Sequence, residues 1–288
     1  MKITKIATIK GGQDGAIYGT ELFRFDEKGN CSVYDLQNAL NGEVVNLTET
    51  ATFTLDRANE LAPHSNCVCF SNEFYEKGDE YPLLYSNIYN NYAGNEDSLL
   101  GVCLVYRLQR LNGAFKTTLM QMVEIGFCED PELWKATKDE HGVRPFGNFV
   151  IYKQTSSYYA FVMRNKELGT RFFKFDLPSV HSGEYNAKYK VKKVTLTKSD
   201  IKESFDCSFF NYVQGAILDG NNVYSTEGFT NDNINRPALR LIDPVAKKHK
   251  AVYYFSDFGT TIEPELIDFD GDDCYYADNE GNVYKLTF

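Results

Sequence analysis

Apolar and polar positions alternate with a period of two along most of the chain. In the closing segment NVYKLTF, Asn282–Phe288, the residues Val283, Lys285 and Thr287 stand against Tyr284, Leu286 and Phe288. That is the pattern of a strand with two unlike faces. No long segment carries apolar residues at helical spacing, so the chain is predicted to be nearly all β, with one short helix around PELWKATKDE inside the stretch from Cys128 to Pro145. Two segments repeat a layout: QGAILDGNNVY, Gln214–Tyr224, and ELIDFDGDDCY, Glu265–Tyr275. Each begins with a long polar residue, runs through an apolar stretch, turns at Asp219-Gly220 or Asp270-Gly271 and resumes with apolar residues. Glycine at such turns supplies the positive φ that tight hairpins need. A third copy, DGAIYGTELF at Asp14–Phe23, is one residue shorter.

Extended to the whole chain, the layout recurs five times, beginning near residues 13, 63, 147, 213 and 263. Units of four strands occupy about 40–50 residues, and the wider gaps hold insertions such as NEFYEKGDEYP from Asn72. The last unit supplies only three strands, around Glu265–Phe269, Cys274–Ala277 and Asn282–Phe288, while KITKIATI, Lys2–Ile9, is a lone strand ahead of the first unit. Joining that strand to the last unit closes the ring and removes exposed edges. The expected fold is an all-β, five-bladed β-propeller over residues 1–288, closed by the N-terminal strand completing the last blade. Each repeat is then the innermost strand of a blade with its following turn.

At 288 residues the chain suits one large all-β domain, and 21 Phe and 20 Tyr against one Trp favour pleated, half-buried surfaces. A net charge of −10 speaks against a nucleic-acid surface. The basic run KYKVKKVTLTK, Lys188–Lys198, alternates Lys with apolar residues and reads as a strand with one solvated face. Seven cysteines at irregular spacing contain no Cys-x-x-Cys pair, and Cys67 and Cys69 read as buried packing. With no leader or membrane-spanning stretch, a cytoplasmic monomer without a membrane partner is expected; a leader removed ahead of this chain would make it secreted instead.

Residues that begin the inner strands gather at one mouth of a propeller channel. Here they are Gln13, Asp14, His64 and Asn66 from the first two units, Asn148 and Gln214 from the next two, and Glu263 and Glu265 from the last. A ring of amides, carboxylates and one imidazole suits a small molecule, a glycan or a peptide. The same ring also suits the water-filled channel of a scaffold that binds protein on its faces. The loop YSNIYNNYAGNED, Tyr85–Asp97, offers tyrosine and asparagine for contact. The acidic DFDGDD, with Asp268, Asp270, Asp272 and Asp273, invites calcium but departs from the twelve-residue calcium loop and reads as a solvated hairpin tip, so no cofactor is expected.

Five-bladed glycosidases carry acids at the starts of their first three blades; this chain is similar in having Asp14 at the first, but has His64 or Asn66 and then Asn148 at the next two. VQGAILDGNNVYSTEGF, Val213–Phe229, resembles the blade motif of plant-type glutaminyl cyclases over one unit, and ALRLIDPVAKK continues in the style of that family's third strand. The resemblance implies a five-bladed fold and makes Glu227 the nearest acid to the family's catalytic carboxylate; Gln214 stands where that family often has an acid, and Trp134 is the one tryptophan for an aromatic cage. The expected function is non-catalytic binding at the channel mouth, with a channel enzyme of either kind and a protein-interaction scaffold as the alternatives.

Overall fold

The computed structural model describes residues 1–39, 42–61, 63–88, 101–127, 148–165, 169–208, 212–230 and 235–288. Five sheets form the blades of a β-propeller. From the channel outward, blade 1 is Gly15–Tyr18, Glu21–Phe25, Asn30–Asp35 and Ala51–Thr54; blade 2 begins Val68–Phe70, Leu84–Ile88, Val102–Leu111 and Ala114–Ile125. Blade 3 is Asn148–Tyr152, Ser157–Asn165, Gly169–Asp176 and Glu203–Cys207, and blade 4 is Val213–Asp219, Asn222–Glu227, Ala238–Asp243 and Lys248–Tyr254. Blade 5 is Pro264–Asp270, Asp273–Asp278 and Asn282–Thr287, completed by Lys2–Thr8, which pairs antiparallel with Asn282–Thr287. The ring is thus closed by the two ends of the chain, as the lone N-terminal strand predicts.

The turns explain the repeat. Asp219 pairs with Asn222 and Asp270 with Asp273 across two-residue connections, and Gly220 and Gly271 at their first positions have φ of 54° and 57°. Gly215 answers a different demand. The inner strands of blades 4 and 5 approach so closely that a Cβ at Gly215 would overlap the Glu265 carbonyl. A second turn, Asp-x-x-Gly-Asn, recurs in blades 1 and 5. Asp26 Oδ1 accepts from the Lys28 and Asn30 amides at 2.8 and 2.9 Å, and Asp278 Oδ1 from the Glu280 and Asn282 amides at 3.1 and 2.9 Å.

Two connections cover neighbouring edges. Between the third and fourth strands of blade 3 the chain leaves for blade 2, where Val191–Leu196 pairs in parallel with Ala114–Ile125 and Glu184–Asn186 pairs beyond it. Val45–Asn46, from the same connection of blade 1, pairs in parallel with Lys2–Thr8 of blade 5. Both additions cap an edge that would otherwise offer unpaired backbone. The Lys-rich run supplies the first of these as Val191–Leu196, but without the single solvated face expected: Val191 and Leu196, on opposite faces, are both buried, and Lys192 and Thr195, also on opposite faces, are exposed.

Apolar residues of the blades meet in the seams between them. Phe23 of blade 1 meets Phe70 and Tyr81 of blade 2 edge-on at 5.3 and 5.6 Å, while Ile17 and Leu22 pack with Leu266 and Tyr275 of blade 5. Each such side chain contributes about 1.5–3 kcal/mol through burial. Cys67 and Cys69 are buried as expected, and the six described cysteines are free. A further expectation needs correction. Tyr85–Ile88, read as the start of a Tyr- and Asn-rich loop, belongs to the second strand of blade 2 and is buried throughout, because Tyr85, Ser86 and Asn87 face seams and channel. The remainder of that stretch, the helix expected at PELWKATKDE and Trp134 lie outside the described residues.

Candidate functional site

Six of the eight predicted mouth residues line a single cavity of about 650 Å³: Gln13, His64, Asn66, Gln214, Glu263 and Glu265. Irregular backbone aims two of them. The pairing register of the inner strands shifts between Val213 and Gly215 in blade 4 and between Pro264 and Leu266 in blade 5, so Gln214 and Glu265 occupy equivalent bulges. A bulge redirects a side chain that regular alternation would send elsewhere. The repeat that begins with a long polar residue is therefore a repeated bulge at the mouth.

Glu263 is clamped from two sides. Gln214 Nε2 donates to its Oε1 at 2.5 Å and Asn279 Nδ2 to its Oε2 at 2.9 Å. Partial burial raises its pKa, with the Asn279 bond acting in the opposite direction. Glu265 is 2% exposed, and its Oε2 has no hydrogen-bond partner among the described residues. Burial pushes this carboxyl well above the usual range, the Arg24 guanidinium pulls it back, and Glu263 and Asp14 push it further up. His64 is lowered by burial, against the influence of Glu27, which favours a neutral ring.

The other two predicted residues lie outside the lining. Asp14 is fully buried, and its Oδ2 accepts the Val68 amide of blade 2 at 2.8 Å. It fastens a seam. Asn148 is 3% exposed and accepts from Asn87 Nδ2 at 3.3 Å; Asn87 also donates to Asn66 Oδ1 at 2.6 Å and accepts the Cys67 amide at 3.0 Å. This amide chain runs from the lining into the wall between blades 2 and 3.

Several participants escaped the sequence reading. Arg24 lies beneath the mouth, 2% exposed, with Nη2 donating to the carbonyls of Gly12 at 2.6 Å and Asp278 at 2.8 Å. A lone arginine in the apolar strand ELFRF was a usable signal, since arginine is seldom fully buried without partners. Tyr212 and Phe229 meet edge-on at 4.6 Å and supply an aromatic wall; Asp26, Glu27, Lys28 and Asn279 come from the two Asp-x-x-Gly-Asn turns. Only the folded ring brings these segments together.

Glu227, the acid nominated by the cyclase-like motif, does not line the cavity. It is 3% exposed and held by Arg240 through two bonds of 2.7 and 3.1 Å, while Arg240 Nη1 donates to Ser208 Oγ at 2.7 Å. The acidic segment divides in two. Asp270 and Asp272 sit at an exposed hairpin tip, and Asp273 pairs with Lys285 at 2.5 Å. Asp268, expected there too, is instead buried, because its position on the inner strand turns it toward the Ile17 amide. Among the described residues no three His, Cys, Asp or Glu side chains gather as a metal site requires, and no helix is long and apolar enough to cross a membrane.

No protein family and no curated protein matches the sequence. Among solved structures, the chain is similar to the glutaminyl cyclase of Myxococcus xanthus, with a TM-score of 0.51 and 7% identity over 100% of this chain and 94% of that one. It is also similar to the Dos1 propeller (TM-score 0.36, 10% identity, 94% of this chain and 55% of that one). Kuenenia stuttgartiensis hydrazine synthase matches 92% of this chain and 61% of its own, with a TM-score of 0.41 and 11% identity. At 7% identity, the likeness to the cyclase is one of fold.

Proposed function

We propose that the chain is a non-catalytic binding propeller that takes a small polar molecule, a glycan or a peptide at the channel mouth. One observation carries this reading. Polar leading residues from blades 1, 2, 4 and 5 line one cavity of about 650 Å³, and the bulges at Gln214 and Glu265 direct side chains into it. Ligand pockets commonly fall between about 300 and 1,000 Å³, with a few convergent polar groups on a partly apolar wall. Tyr212 and Phe229 fit the role of that wall.

Catalysis is the second reading, supported by two acids raised by burial inside a cleft, Glu263 and Glu265. The Myxococcus protein of similar fold is a glutaminyl cyclase. If this chain is an enzyme, Glu265 is the better acid than Glu227, which Arg240 holds away from the cavity. The free cysteines suit a reducing compartment.

Thermal unfolding against sugars, short peptides, Ca²⁺, Zn²⁺ and a chelator tests the reading. A ligand at about a hundredfold excess over its Kd adds roughly 2.7 kcal/mol to stability. The expected result is a ligand-induced rise that Gln214→Ala and Glu265→Ala both abolish. A flat panel overturns it in favour of a scaffold binding protein through its faces.

A further inference from the structure

The cavity has a preferred sign of charge. Asp26, Glu27, Glu263 and Glu265 line it against Lys28 and a His64 that burial keeps toward neutral. Asp26 is engaged in its own turn through Lys28 and Asn30, and both oxygens of Glu263 are held by side-chain amides. Glu265 differs. It lines the cavity, is nine-tenths buried and more, and its enclosed Oε2 accepts no bond from any described residue.

A buried carboxylate that lines a cavity calls for a donor, and a positively charged donor offsets the burial of the negative charge as well. Arg24 fills this role only through its field: its Nη2 is directed to the Gly12 and Asp278 carbonyls, its Nε and Nη1 meet no described acceptor, and Asp14 and Asp278 share that field with Glu265. The same cavity carries the edge-on pair Tyr212 and Phe229, and Phe229 is 37% exposed. Aromatic faces accept both methylene stems and cations.

On the reading that the mouth is a ligand site, we infer that its ligand is an alkylammonium cation. The ammonium donates to the Glu265 carboxylate, the apolar stem lies against Tyr212 and Phe229, and Glu263, fixed by Gln214 and Asn279, offers the second carboxylate. A linear di- or polyamine has the chemistry to use both.

Isothermal titration with 1,4-diaminobutane and spermidine, beside the uncharged 1,4-butanediol and methyl glucoside, tests this. Saturable one-site binding of the amines is expected, with none of the diol. Glu265→Gln should weaken the amines at least tenfold, and Phe229→Ala, which trims a partly exposed ring and leaves the frame intact, several-fold. Asp272→Asn, at an exposed tip outside the cavity, should leave binding unchanged. Equal weakening by Asp272→Asn and Glu265→Gln would mean diffuse attraction to an acidic protein and overturn the inference. Glucoside binding that Gln214→Ala abolishes, with no amine binding, would overturn the cation and leave the mouth as a site. If none of the four probes binds, the cation inference falls, and a flat thermal panel would then remove the mouth reading too.

Discussion

Glu227 in blade 4 and Glu265 in blade 5 are buried to nearly the same degree, 3% and 2% exposed. Their surroundings differ. Glu227 faces a guanidinium that meets both of its oxygens, with Arg240 in turn held by Ser208. Glu265 has the Arg24 guanidinium nearby, whose Nη2 is bonded to two carbonyls, yet no donor reaches its enclosed Oε2. Burial alone therefore does not separate an acid of the frame from an acid of the site; the partner does. The motif resemblance points to Glu227, whereas the geometry points to Glu265.

The largest expected effect comes from breaking the paired member. Glu227→Gln removes the charge that meets the buried Arg240 through two bonds and should cost about 3–5 kcal/mol in urea denaturation. It should leave ligand affinity at the mouth unchanged in the folded fraction, which would sharpen the distinction.

A somewhat smaller effect concerns a third buried acid, Asp268. Burial raises it to about 6 from the ordinary 3.8, although Lys153 and the Ile17 and Phe269 amides act to lower it. A carboxyl raised in the fold stabilises fully below its unfolded value and loses that contribution as pH rises through its folded value. Between pH 4 and 7 the stability of Asp268→Asn should thus gain on the wild type by roughly 2 kcal/mol, whatever the offset at pH 4. Urea midpoints at successive pH values check this; parallel curves for the two proteins would contradict it.

The period of two, the repeated Asp-Gly turns and the lone N-terminal strand made the ring legible before any contact was known, because each is a local signal. The mouth residues were legible as strand beginnings for the same reason. Local signals do not reach further. The Lys-rich strand at Val191–Leu196 is legible as a strand but not in its faces or its partner, since burial of Val191 and Leu196 on opposite faces and parallel pairing with Ala114–Ile125 are decided by blade packing. Asn87 reads as loop because Tyr and Asn surround it, yet it joins Asn66 to Asn148 inside the wall. Asp14 and Glu265 look alike as leading acids. Each leaves one buried oxygen without a partner, and they are told apart by the Val68 amide on Asp14 Oδ2 and by the cavity that Glu265 lines.

The smallest expected effect is the most direct test: urea denaturation of Glu265→Gln beside Glu227→Gln at neutral pH. Oε2 of Glu265 meets no donor in the fold, so an amide there breaks no bond at that oxygen and the variant should stay within about 1 kcal/mol of the wild type, several kcal/mol above Glu227→Gln. Equal losses in the two variants would contradict the account and make Glu265 part of the frame.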